Sequence, residues 1–250
     1  MSREGALDPG GRIKGMANTK RPSTSRRDRK ESGDLRKRIL EAFAGHWSEE
    51  GHPPRSAGRF CKGLGITEAV FFKHFPSLHA VEKALWRDWI SSIITTMEEG
   101  EDWGEFTARE RYLAFLFALT QSASESRSLL LERFHDISPL SHPAALEGLR
   151  GEFLDFAHRI VERGRETGEV ADRRGLTGLY PGILYIHLRW VIDQYLKDES
   201  EGFERTDAFI EKTVTLAFDL FRSQALDSAA DLLRFLLPGN PWNGCSGKGK

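Results

Sequence analysis

SAGRFCKGLGITEAVFFKHFPSLHAVE, residues 56–82, decides how the rest of the chain is read. Phe60, Cys61 and Leu64 recur at helical spacing and give a short helix one apolar face. Gly63 and Gly65 bracket Leu64, so the chain can stop and turn there without a Cβ penalty. Thr67 is placed to cap a second short helix through its hydroxyl. In that helix Val70, Phe71 and Phe75 supply a core face and leave Glu68, Ala69, Lys73 and His74 outward. Pro76 cannot continue the ladder, and Ser77 is a good cap for the next helix. Two short helices joined by a tight turn form a helix-turn-helix, whose second helix is shaped to enter a DNA major groove.

Upstream, residues 34–49 carry an apolar stripe of Leu35, Ile39, Leu40, Phe43 and Trp47, with Asp34 favouring the N-terminus of a first helix. His52-Pro53-Pro54 is a rigid stop. Downstream, a long helix is expected over residues 77–97, joining the helix-turn-helix to the body. Residues 98–104 break it. Thr107 and Glu110 then have capping-box spacing ahead of Tyr112, Phe115, Leu116 and Leu119. A short apolar helix over 129–134 and a longer one over 144–165 follow, the latter ended by Gly164 and Gly168. Residues 175–197 are apolar almost all round, as in a helix buried on several sides, with Pro181-Gly182 kinking it or marking its start. A last helical stretch runs over 205–237 and can break near Ser223. No run alternates with strand period. The expected fold is all-α: a basic disordered arm (1–33), a three-helix DNA-binding domain (34–80), a helical effector-binding and dimerisation domain (81–237) and a flexible tail (238–250).

The central motif resembles that of the TetR family of bacterial one-component regulators. The resemblance rests on Ser56, Phe60-Cys61, Gly65-Ile66-Thr67, Phe72-Lys73-His74-Phe75 and Pro76-Ser77, together with Gly51 and the Ile-Leu-Glu-Ala-Phe run at 39–43. It covers about residues 34–90. Two positions depart from the family pattern. Phe72 stands where a phosphate-contacting Tyr is usual, and Leu78 where a Lys follows Pro-Ser; each removes a contact to the DNA backbone and not a base reader. The resemblance implies a homodimer formed through about 175–197 and 205–224, with simple burial of these helices inside a monomer as the alternative. It further implies double-stranded DNA carrying an inverted repeat as partner, a small apolar or amphipathic effector, and a repressor as the type of regulator. The alternative is a helical ligand-binding or interaction module that has lost specific DNA binding, supported by Phe72 and Leu78.

Whole-chain properties narrow the classes. The formal net charge is only -1, yet residues 1–33 hold nine Lys and Arg against four acids, so a basic arm precedes an acidic body. Such an arm suits either a solvated tail or a minor-groove contact. Met16 is an alternative start to Met1. Cys61 and Cys245 are the only cysteines, one in a buried helix and one in a Gly-rich tail, which argues against a disulfide framework. With no apolar run of spanning length and no signal-peptide pattern, a cytoplasmic protein is expected. Gly-rich phosphate loops, nucleophile elbows and Cys/His zinc spacings are missing. Glu152, Asp155 and His158 share one helix face, but the second copy that a di-metal carboxylate site requires is not found, so they read as a solvated stripe. No catalytic residue, metal or cofactor is expected.

For DNA contact the candidates are Arg55, Ser56, Thr67, Glu68, Ala69, Phe72, Lys73 and His74. Lys73 can donate to guanine, Glu68 can accept from cytosine N4 and Ala69 can touch a thymine methyl. Ser56, Thr67 and His74 better fit phosphates. In the body, Tyr112, Phe115, Phe153, Phe156, Tyr185 and Trp190 can line an effector cavity, with His187 or Arg189 orienting a polar or anionic ligand. A packed core, with Arg189 paired to an acid across the dimer, fits the same residues equally well.

Overall fold

A computed structural model describes residues 26–173 and 176–223. Within them the chain is all-helical: α1 (Arg26–Glu50), α2 (Ala57–Leu64), α3 (Glu68–His74), α4 (Leu78–Glu98), α5 (Ala108–Glu125), α6 (Arg127–Phe134), α7 (Glu147–Thr167), α8 (Tyr180–Lys197) and α9 (Glu204–Arg222), with short 3-10 turns between several of them. None of these helices is long and apolar enough to cross a membrane. The expected tail 238–250 and the expected continuation of the last helix to residue 237 lie outside the described residues.

One boundary corrects the sequence reading. The first helix begins at Arg26, not Asp34, so residues 26–33 of the expected disordered arm are helical. Arg, Lys and Glu dominate that segment and are good helix formers, and Gly33 costs only about 1 kcal/mol in a helix that α4 and α6 hold from the other end. The rest of the arm is outside the described residues.

Local signals set the other ends. Ser56, Thr67 and Ser77 cap α2, α3 and α4, their hydroxyls accepting from the N–H of Arg59, Val70 and Ala80. Gly65 takes the left-handed conformation that closes α2, with φ of 69°. Thr107 and Glu110 form the full capping box of α5. Pro181 sits in the first turn of α8 and starts it without a kink. Gly168 ends α7 at φ 77°, whereas Gly164, expected as a stop, lies inside the helix, where a Cβ would come within 2.5 Å of Val170 Cγ2.

In a three-helix head Phe60 packs edge to face against both Phe43 and Phe71, with ring centres 6.2 Å apart in each case. The head joins the body through α4. Trp86 on α4 meets Trp47 of α1 at 6.1 Å and Phe134 of α6 at 5.5 Å. Arg36 donates to Asp88 at 2.7 Å, and Arg133 of α6 pairs with Glu82 of α4 at 2.8 Å. In the body α7 lies close along α4, with Gly148 against the Lys83 carbonyl, while α5, α8 and α9 close the far side.

Candidate nucleic-acid interface and effector region

Alternating burial along α2 and α3 follows from the apolar spacing. Phe60, Cys61 and Phe71 turn inward, so Arg55, Ser56, Arg59 and Lys62 are exposed along α2. On α3, Ala69, Phe72 and Lys73 are exposed together, Phe72 at 47%, and His74 is half-buried. Thr67 and Ser56 spend one lone pair each on their caps, leaving a second available.

Glu68 behaves differently from its neighbours. Its carboxylate leans back over α2, so that a Cβ on Gly58 would lie 2.7 Å from Oε1. Glycine at 58 makes room for this approach, while Glu68 stays exposed like Ala69 and Lys73. Arg59 and Lys62 were not singled out from the sequence. Their signal was available, since both fall on the face of α2 opposite Phe60 and Cys61. A groove of about 660 Å³ runs between α1 and α2, lined by His46, His52, Arg55 and Arg59 among others.

The expected effector residues divide into four groups. Tyr112, Phe115, Phe153, Phe156 and Tyr185 are buried together, with Phe115 4.9 Å from Phe156, and 5.5 Å from Phe153, which in turn lies 6.2 Å from Tyr185. They fill the space between α5, α7 and α8 with their own rings. A groove of about 300 Å³ between α4 and α5 is lined by Ser92, Thr96, Gln121 and Ser122 and not by these aromatics. Trp190 stands apart, 48% exposed on the outer face of α8. Arg189, 1% exposed, faces inward over the ring of Phe134.

His187 belongs to a buried polar chain. Its Nε2 lies 2.7 Å from Thr213 Oγ1, which donates to the Phe209 carbonyl at 2.6 Å. On the other side of the ring Nδ1 lies 2.8 Å from the Tyr112 hydroxyl, which donates to the Leu184 carbonyl at 3.1 Å. Burial lowers the His187 pKa from 6.5 to about 4 and raises that of Tyr112 well above 10, so both are neutral. In the unfolded chain the imidazole takes a proton near pH 6.5, in the fold only near 4, so this group's contribution to stability is full above pH 6.5 and falls as pH drops toward 4. The slope is about 1.4 kcal/mol per pH unit. Between pH 6.5 and 5 the wild type is expected to lose about 2 kcal/mol that His187→Gln does not lose. Urea melts at the two pH values measure it, and equal losses in both proteins would remove His187 as the cause.

On α8, Leu179 just ahead of the helix, then Ile183, Ile186 and Trp190, form an exposed stripe at spacings of four, three and four. On α9 Leu216 and Leu220 are exposed as well. The sequence reading took 175–197 as buried on several sides, but one side is open. Apolar residues all round a helix do not tell burial within one chain from burial between two.

The model "Tetracyclin repressor-like, C-terminal domain" matches residues 111–236, half the chain. The chain belongs to the TetR family. Regulators of this family bind DNA, form dimers and bind small-molecule effectors. No curated protein matches the chain by sequence. Among solved structures, a protein with unknown function from Rhodococcus sp. RHA1 aligns with a TM-score of 0.52 at 18% identity, covering 76% of this chain and 96% of its own. The fatty acid degradation regulator FadR from Bacillus halodurans aligns with a TM-score of 0.52 at 15% identity, covering 73% and 97%. At such identities these likenesses carry the fold alone. The family match covers the body; the TetR-type head rests on the residues and geometry of α2 and α3.

Proposed function

We propose that the protein is a dimeric one-component transcriptional repressor of the cytoplasm. Each head reads one half of an inverted-repeat operator through α3, and a small apolar or amphipathic effector bound in the body releases the DNA. The observation that carries this reading is the outward face of α3, where Ala69, Phe72 and Lys73 are exposed side by side on a helix capped by Thr67 directly after α2. Arg55, Ser56, Arg59, Thr67 and His74 supply the phosphate contacts that fix register, and Lys73 with Ala69 reads base edges. Glu68, turned toward α2, acts as a charge that weakens non-cognate binding.

Dimerisation through α8 and α9 is supported by the open stripe of Leu179, Ile183, Ile186 and Trp190 beside Leu216 and Leu220. Two such faces meeting about a two-fold axis give a four-helix interface and set the spacing of the two α3 helices for successive major grooves. Effector binding shifts the population toward a body conformation with another spacing. The body as it stands has its aromatics in mutual contact, so an effector enters by displacing something.

Phe72→Tyr and Leu78→Lys together restore two backbone contacts. The expected gain in operator affinity is at least about tenfold over wild-type binding that is already specific, since a hydrogen bond to a charged group contributes about 1.5–3 kcal/mol net and solvent screening at these exposed positions lowers that. Fluorescence anisotropy with an operator duplex measures it. Specific binding that appears only in the double variant would instead favour a helical ligand-binding module that has lost its DNA.

A further inference from the structure

Arg189 is a guanidinium taken almost wholly out of water without an anion. It is 1% exposed, and among the described residues no carboxylate pairs with it. Nη1 donates to the Ser141 carbonyl at 3.1 Å and Nη2 to the Ser138 carbonyl at a long 3.4 Å, while Nε has no acceptor. Phe134 lies beneath, 5.3 Å from the guanidinium carbon to the ring centre. Neutral carbonyls and a ring face compensate a buried charge poorly; a carboxylate with two oxygens matches the fork better.

The groups now in the fork are easily replaced. Ser138 and Ser141 belong to the strap joining α6 to α7, residues 135–146, and that strap is largely at the surface: Ser138, Ser141 and His142 are exposed, and Leu140 is 70% exposed. Carbonyls released there turn into water and leave no buried acceptor unsatisfied. The strap crosses one face of α8. One turn before Arg189, the Tyr185 hydroxyl lies 3.2 Å from His142 Nδ1, whose other ring nitrogen is 2.8 Å from Glu147. Beneath Tyr185 is Phe153 of the aromatic cluster.

We propose that Arg189 anchors a binding site for an organic monocarboxylate with an apolar body, and that the Ser138 and Ser141 carbonyls occupy that site in the free protein. The proposal rests on the reading of the body as an effector domain and names the effector's chemical class. The carboxylate takes both Nη donors, the strap lifts, and the apolar body lies along the face of Tyr185 and Phe134. A single planar charge fits one fork. A phosphate dianion would need a second buried cation, and the nearby His142 is exposed and already engaged by Glu147. Lifting the strap frees Phe134 at the end of α6, and Phe134 and Arg133 bear on Trp86 and Glu82 of α4. Carboxylate binding is thereby linked to the helix that carries the head.

The test uses the full-length protein without DNA. Straight-chain carboxylates from acetate to dodecanoate are titrated by calorimetry beside the primary alcohols of equal length, and amide exchange is followed over residues 135–146. At one or more lengths the carboxylate is expected to bind at least tenfold tighter than its alcohol and to speed strap exchange at least tenfold. Arg189→Met is expected to bind both alike. Equal binding of acid and alcohol at every length, no binding of either, or a preference that survives in Arg189→Met would each overturn the proposal, as would binding that leaves strap exchange unchanged. Should Arg189→Met fail to fold, the wild-type comparison decides, with Arg189→Lys, which keeps the charge but not the fork, expected to lose most of the preference. Failure here is distinct from failure of the regulator reading, which is seen in DNA selection and needs no ligand.

Discussion

Trp190→Glu is expected to separate the dimer into protomers. Trp190 closes the open α8 stripe at its C-terminal end, 48% exposed, so about half of the side chain is free of packing within one chain. In a two-fold interface it is buried twice, once from each side. Tryptophans buried in interfaces commonly contribute about 2–4 kcal/mol each, and the glutamate adds the cost of placing a charge in the apolar seam. Two copies together are expected to weaken dimerisation by at least about a thousandfold, at about 1.4 kcal/mol per factor of ten. Sedimentation equilibrium at micromolar protein should then report the protomer mass of 28.3 kDa for the variant and twice that for the wild type. Inverted-repeat binding should fall with it, since each head alone holds only a half-site. A variant that keeps the wild-type mass would move the interface away from α8.

Gly148→Ala and Gly151→Ala are expected to change stability in opposite directions, although both lie on α7, three residues apart. At Gly148 a Cβ would come to 2.0 Å from the Lys83 carbonyl oxygen, 3.0 Å from its carbon and 3.1 Å from Arg87 Cβ. Two of these atoms are backbone of α4, so relief requires the two helices to part. Overpacking of this kind costs about 3 kcal/mol or more, enough to lower the melting temperature by roughly 10 °C for a chain of this size. At Gly151 nothing lies within 4 Å. There alanine only improves helix propensity, a gain of about 0.5–1 kcal/mol. Thermal melts of the two variants check both signs. A neutral Gly148→Ala would mean that α4 and α7 are not held as close as described.

The head was legible in the sequence because its signals are local. Ser56, Thr67 and Ser77 each cap a helix within three residues of their own position, and Gly65 marks its own positive φ. The capping box at Thr107 and the Pro181 start of α8 were readable for the same reason. What stayed hidden depends on partners distant in sequence. Gly148 looks like any helical glycine until α4 is laid against it. Arg189 looks like a ligand-orienting residue or half of an ion pair, and only the path of the 135–146 strap reveals that carbonyls hold it. Glu68 sits on the outward face by periodicity, yet Gly58 across the turn leaves it space to lean back. For the body aromatics, spacing alone could not distinguish a lined cavity from rings packed on one another.

The most direct test is selection of genomic fragments by the full-length protein at physiological salt, followed by sequencing of what is retained. Enrichment of a short inverted repeat, with half-sites about one helical turn or a multiple apart, is the expected result. The same repeat should fail to enrich with Lys73→Ala. Retention without sequence preference that vanishes on a modest increase in salt would mean that positive charge alone holds DNA. That outcome, or no retention by a protein shown to be dimeric, would contradict a sequence-specific regulator.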